Sequence, residues 1–232
     1  MVYIPRIKIC CISSIEEAKL AIKYGCSALG LVSNMPSGPG IISEDTIREI
    51  IETRGIIPPG IASFLLTSLT SVNEIIEQQK RCKVNTIQIC DRLTNGTHIE
   101  LKKRLPGINI VQVIHVTNED SVNEAVEIAP YVDAILLDSG NQDLKIKELG
   151  GTGRTHDWFL SKKIHEAIAP TPMFLAGGIK SENVKSALQF VRPYGIDLCS
   201  GVRSNGKLDE EKLKIFFDEV RNATMIINNS KN

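Results

Sequence analysis

Eight short apolar runs recur along the chain, each followed by a stretch with helical periodicity, and no long linker separates them. They fall at residues 7–12, 28–33, 60–65, 86–90, 110–116, 134–138, 173–176 and 196–200. Each is nearly continuous rather than alternating, the pattern of parallel strands covered on both faces. Between them, Val122, Ala125, Val126 and Ala129 share a helical face, as do Val184, Ala187, Leu188 and Val191, and Leu213, Phe216, Phe217 and Val220. Ser13 and Ser14 each stand three residues before a glutamate, a capping-box spacing. Ser43, Asn118 and Ser181 are N-cap candidates for later helices. Eight strand–helix units in 232 residues predict an α/β protein, a single-domain (β/α)8 TIM barrel over residues 1–224 with a flexible tail at 225–232. The main competitor is a doubly wound sheet. A dinucleotide-binding version of it would open its first strand-to-helix turn with G-x-G-x-x-G, and none is there.

Composition narrows the partners. The chain carries 27 basic and 27 acidic residues and no formal net charge, which argues against a nucleic-acid partner. No apolar run approaches the roughly 18–20 residues that span a bilayer, so no membrane partner is expected. The opening stretch lacks the organisation of a signal peptide. Six cysteines without a C-x-x-C pair fit a reducing compartment, and the expected location is cytoplasmic. The Asn95-Gly96-Thr97 and Asn222-Ala223-Thr224 triplets are then chance matches to the glycosylation pattern. Monomer and homodimer stay open.

In a barrel of this kind the site is built from residues that close each strand: Cys10, Ser33, Cys90, His115, Asp138, Gly177 and Ser200. Cys10 and Asp138 would face each other across the mouth, a thiol and a carboxyl able to move protons on a small substrate. A cysteine in a strand more often serves as a small buried hydrophobe, and an aspartate there can simply brace a loop. Glycines cluster after strands six (Gly150, Gly151, Gly153), seven (Gly177, Gly178) and eight (Gly201, beside Ser200). Glycine lets backbone N–H groups approach an anion, and a following helix dipole adds positive potential, so these three loops predict a phosphate cradle. Cys10, Cys90, His115 and Asp138 are chemically able to bind zinc, but their spacing fits no metal motif and no metal is expected. Vicinal Cys10 and Cys11 would form only a strained disulfide.

Lys8-Ile9-Cys10, Ala28-Leu29-Gly30-Leu31-Val32, Ile135-Leu136-Leu137-Asp138, Gly150-Gly151-Thr152-Gly153 with Asp157-Trp158, Ala176-Gly177-Gly178 with Glu182-Asn183-Val184, and Ser200-Gly201-Val202 occur in that order. Together they resemble the phosphoribosylanthranilate isomerase family over nearly the whole chain. The resemblance implies a cofactor-free Amadori rearrangement in tryptophan biosynthesis, turning N-(5-phosphoribosyl)anthranilate into the 1-deoxyribulose 5-phosphate ketoamine. It implies Cys10 as general base and Asp138 as general acid, with Gln88 and Asp197 contacting substrate. Gly151, Gly153, Gly177, Gly178, Ser200 and Gly201 would hold phosphate. The implied partner is a small phosphorylated sugar derivative.

Departures from that pattern cluster around the expected site. Cys11 stands where the family has glycine, and Gly40 where an arginine binds the anthranilate carboxylate. Cys90 replaces a histidine, His156 a phenylalanine, Cys199 a serine and Arg203 a glutamate. A glycine cannot replace a bidentate guanidinium–carboxylate contact, so Arg203 or Arg154 would have to supply the charge from another loop. Two alternatives therefore stand beside the isomerase: an isomerase of another phosphorylated sugar derivative, and a noncatalytic phosphoribosyl-ligand binding protein.

Overall fold

The structure, a computed structural model, describes residues 2–140, 144–150, 153 and 155–230. Eight parallel strands close into one barrel in chain order: β1 (Arg6–Ile9), β2 (Ala28–Val32), β3 (Ala62–Thr67), β4 (Thr86–Ile89), β5 (Asn109–His115), β6 (Ala134–Asp138), β7 (Met173–Leu175) and β8 (Gly195–Leu198). The outer helices are α1 (Ile15–Tyr24), α2 (Glu44–Glu52), α3 (Val72–Cys82), α4 (His98–Arg104), α5 (Asp120–Ile128), α6 (Trp158–Ala167), α7 (Ser181–Phe190) and α8 (Glu210–Asn229). A small hairpin, β9 (Arg203–Ser204) and β10 (Lys207–Leu208), precedes α8. Closure comes from β1 pairing with β8, where Lys8 lies opposite Asp197.

The period-two alternation of strands sorts the core into two shells. Ile7, Ile9, Leu29, Leu31, Leu65, Ile87, Ile114, Leu137 and Ile196 point outward against the helices. Their alternates fill the barrel: Ala28, Val32, Phe64, Leu66, Val111, Val113, Ala134, Leu136 and Phe174. Phe64 and Phe174 meet edge to face at 5.8 Å across the interior. Both faces of every strand are thus buried, which is why the runs read as continuous. Each fully buried Ile or Leu contributes roughly 1.5–3 kcal/mol.

Ser14 caps α1 through the Glu17 N–H, and Ser43 caps α2 through that of Thr46. Two expected caps are corrected. Asn118 lies one residue before the cap position and accepts the Asp120 N–H in a local turn. Ser181 is the first residue of α7, whose cap is Lys180, with the Asn183 side chain accepting the Lys180 N–H. The tail is also corrected, because α8 continues to Asn229. Ile227 is buried, and Asn228 exchanges two hydrogen bonds with the Tyr3 backbone, at 2.8 and 3.0 Å.

Candidate active site

On β1 the same alternation turns Lys8 and Cys10 to the inside of the barrel. Lys8 is fully buried and its Nζ lies 2.8 Å from Asp197 Oδ2 and 5.2 Å from the centre of the Phe64 ring. Burial disfavours the ammonium, yet the Asp197 carboxylate, with Cys10 and Cys90 nearby, holds its pKa above the ordinary lysine value. Gly30 on β2 makes the room. A Cβ there would sit 3.0 Å from Cys10 Sγ and 3.1 Å from Lys8 Nζ, so thiol and ammonium share the space a side chain would fill.

Directly after Cys10 the backbone turns into the left-handed region, with Cys11 at φ +62°. This is an uncommon conformation for a residue with a Cβ, and it gives a physical reason for glycine at this position in the family pattern. The Cys11 thiol reaches Cys10 Sγ at 3.9 Å and the Pro39 carbonyl at 3.6 Å. Hydrogen bonds to Cys10 and Cys199, together with burial, keep it protonated. Its donation to Cys199, aided by Arg203, lowers the pKa of the Cys199 thiol despite burial. Cys11 also fills the space above Gly40: a Cβ at Gly40 would meet Cys11 Sγ at 2.9 Å and its Cα at 3.0 Å.

Across the barrel, the Asp138 side chain closes β6 beside His115, its register partner on β5. Burial pushes the Asp138 carboxyl above its ordinary range, and the Asp197 charge adds to this. The Ser139 N–H, His115 and Lys8 oppose it. The Ser139 N–H donates to Asp138 Oδ1 at 2.7 Å, and a Cβ at Gly150 would stand 2.8 Å from Oδ2. Cys90, on β4's inward parity, is buried, with its pKa raised by desolvation. The Cys90 carbonyl accepts from His115 Nε2 at 3.0 Å.

Cys10, Cys11, Gln88, Cys90, Asp138 and Asp197 open into one cavity enclosing about 690 Å³, part of it continuous with solvent. Asp197 Oδ1 and Gln88 Oε1 are buried there without a partner among the described residues, two acceptors turned to a ligand's hydroxyl or amine protons. Met35, Ser37 and Pro39 from the loop after β2, with Leu149 and Gly150 from the loop after β6, line the outer wall. The two loops meet where Ser37 Oγ donates to the Lys147 carbonyl at 2.7 Å.

The opposite rim is built by the loops after β6, β7 and β8. Gly153, Gly177 and Gly178 have φ of +69°, +78° and +61°. Gly153, Gly178, Ile179 and Ser200 border both the cavity and an adjoining recess that adds Lys180, Asn183 and Gly201. At Gly201 any Cβ would run into the Ile179 carbonyl, so the last two loops need this close approach. Asn183 Nδ2 donates to the Gly178 carbonyl at 2.9 Å and holds the β7 loop in shape. Gly151 lies outside the described residues, and so does Arg154.

A family model for N-(5'-phosphoribosyl)anthranilate isomerase matches residues 7–219. The chain belongs to the N-(5'-phosphoribosyl)anthranilate isomerase family. An N-(5'-phosphoribosyl)anthranilate isomerase of Methanosarcina mazei is 33% identical over 226 residues, 97% of each chain. The solved N-(5'-phosphoribosyl)anthranilate isomerase of Pyrococcus furiosus superposes with a TM-score of 0.75 at 26% identity, over 94% of this chain and 99% of that one. A phosphoribosylanthranilate isomerase solved in complex with reduced 1-(o-carboxyphenylamino)-1-deoxyribulose 5-phosphate gives 0.72 at 26% identity, covering 94% and 100%.

Within this isomerase frame, Cys10, Cys90, Asp138, Gln88 and Asp197 share one cavity and the described cradle residues line its rim, whereas Ser33, bonded to the Leu66 carbonyl, and His115, bonded to that of Cys90, do not line it. Arg203 does not line that cavity. It is engaged with Glu17 and with main-chain carbonyls. Among the described residues no group of three or more His, Cys, Asp or Glu is placed to hold a metal ion. Nor is any helix among them long and apolar enough to cross a membrane. Lys8, Asp197 and Asn183 stand in the sequence motifs, but two of their contacts do not follow from those motifs: the Lys8–Asp197 pair across the β1–β8 seam and the bond from Asn183 to the Gly178 carbonyl.

Proposed function

We propose that Cys10 and Asp138 carry the N-(5'-phosphoribosyl)anthranilate isomerase reaction of this protein, an Amadori rearrangement in tryptophan biosynthesis. The observation that carries the reading is that the two side chains open into one cavity whose opposite rim is lined by the glycine loops after β7 and β8. The substrate's phosphate sits against Gly153, Gly177, Gly178, Ser200 and Gly201, where backbone N–H groups approach it closely, and Gly151 belongs to the same loop set. Asp197 and Gln88 receive the sugar's hydroxyl and amine protons through Oδ1 and Oε1.

Asp138, whose carboxyl burial pushes above its ordinary range, donates its proton to the furanose ring oxygen. The C1′–O bond breaks as the anilino nitrogen's lone pair forms a C=N bond, giving an open-chain Schiff base. The Cys10 thiolate then removes the C2′ proton, and the electron pair moves into C1′=C2′ to give an enolamine. Tautomerisation to the ketone completes the rearrangement. Every step is a proton transfer or a bond shift within the substrate.

Complementation of a tryptophan auxotroph lacking this isomerase tests the reading. Growth with the wild-type gene and none with Cys10→Ala or Asp138→Asn is the expected outcome. Growth with the double variant overturns the assignment of base and acid.

A second reading, an isomerase of a related phosphorylated aminosugar, is favoured by one observation: no Arg or Lys is among the described residues lining the cavity. Turnover of N-(5'-phosphoribosyl)anthranilate by the purified protein decides between the two.

A further inference from the structure

We propose that Arg203 is a positioning residue for the candidate base: it clamps the turn that follows Cys10 and so fixes the direction of the Cys10 thiol. The proposal rests on the reading of Cys10 as base.

The turn needs a clamp because of what occupies it. Cys11 adopts φ +62°, a conformation glycine takes freely and a residue with a Cβ resists. Left alone, the segment would relax toward negative φ and swing the Cys10 carbonyl, and with it the thiol. Arg203 opposes this from below. Its Nη2 donates to the Cys11 carbonyl at 2.5 Å and to the Cys10 carbonyl at 3.2 Å. The guanidinium is in turn fixed by Glu17, with Nη1 at 2.9 Å from Oε1 and Nη2 at 3.1 Å from Oε2, and Nη1 also donates to the Gly206 carbonyl at 3.0 Å.

Glu17 is anchored as well. It accepts the Ser13 N–H and hydroxyl at 3.0 and 3.1 Å and the Leu208 N–H at 2.8 Å. The Arg203 and Glu17 side chains are only 7% and 13% exposed. From above, Cys11 packs where a side chain at Gly40 would stand and reaches the Pro39 carbonyl. Cys11, Gly40 and Arg203, three departures from the family pattern in three separate loops, are therefore one contiguous arrangement. A cysteine fills the glycine position, its side chain occupies the volume over residue 40, and an arginine holds the backbone that glycine would have held unaided. The same contacts turn both Nη groups of Arg203 to Glu17 and main-chain carbonyls, and the guanidinium does not line the cavity.

Steady-state kinetics on Arg203→Met and Arg203→Lys, each made in the wild-type and in the Cys11→Gly background, test the proposal. Misplacing a reacting group costs turnover rather than binding, so Arg203→Met is expected to lower kcat at least about tenfold while KM stays within about twofold. Arg203→Lys restores part of kcat. In the Cys11→Gly background, where glycine holds the turn unaided, the same Arg203→Met change costs less than about threefold. Equal losses in the two backgrounds overturn the clamp. A raised KM with kcat kept overturns it in favour of a substrate-binding arginine. If Arg203→Met alone does not fold, Arg203→Lys and the Cys11→Gly/Arg203→Met protein carry the comparison. Cys10→Ala run in parallel separates the two claims. An active Cys10→Ala refutes the base reading. An inactive one beside equal Arg203 losses refutes only the clamp.

Discussion

Lys8 and Cys10 stand two residues apart on β1, and that spacing alone puts an ammonium under a thiol inside the barrel. Gly30 makes the pairing sterically feasible, since a methyl group there would press on both side chains. Asp138 sits across from them with its carboxyl pKa raised by burial, and that direction has a stability consequence. A carboxyl whose folded pKa lies above its unfolded value loses folding free energy as pH rises through that interval, so at neutral pH its ionisation penalises the fold. Asp138→Asn is therefore expected to lower turnover by orders of magnitude and yet raise the melting temperature in a thermal melt at pH 7.5. A lower melting temperature would contradict the assigned burial. The candidate base and acid were legible in the chain because each closes an apolar run. The conformation of Cys11 was not, since a positive φ at a cysteine leaves no trace in composition or periodicity.

At the level of elements, the loop after β1 is tied to α1 and to the β9–β10 hairpin by Glu17. Burial raises the Glu17 pKa, but Arg203 and the N–H groups of Leu208 and Ser13 outweigh it and hold the carboxyl below its ordinary value. With the folded pKa depressed, this contribution is present above the unfolded carboxyl value of about 4.3 and is lost as pH falls below it. Melting temperatures measured from pH 7 to pH 3 should fall more steeply for the wild type than for Glu17→Gln. Parallel curves would mean that Glu17 is not the group responsible. The far end of α8 makes the same point about long-range partners. The stretch at 225–232, polar after two isoleucines, reads as a flexible tail, and only the fold reveals that Asn228 is paired with the Tyr3 backbone. Ile227→Ala should cost about 2–5 kcal/mol in urea unfolding. A loss under about 0.5 kcal/mol would restore the flexible-tail reading. The strands were readable because both faces of each are buried. The caps at Asn118 and Ser181 slipped by one residue because several nearby polar side chains can each satisfy the first turn.

For the whole molecule, the barrel closes where β1 meets β8, and Lys8–Asp197 is the charged pair at that seam. Removing one partner strands a buried charge, whereas replacing both with apolar residues does not. Lys8→Met alone should cost about 3–5 kcal/mol, and Lys8→Met/Asp197→Leu should recover most of it while staying inactive. Additive losses would argue against a direct pair. The closed barrel is also what brings β1, β6 and the loops after β7 and β8 to one mouth, so the function depends on topology as much as on any residue. The most direct test of that claim is the rate of N-(5'-phosphoribosyl)anthranilate conversion by purified wild type, Cys10→Ala and Asp138→Asn at saturating substrate. The prediction is turnover by the wild type and a fall in kcat of about 10²–10⁴-fold in each variant, the range expected of a lost general base or acid. Either variant keeping more than about a tenth of wild-type kcat would contradict it.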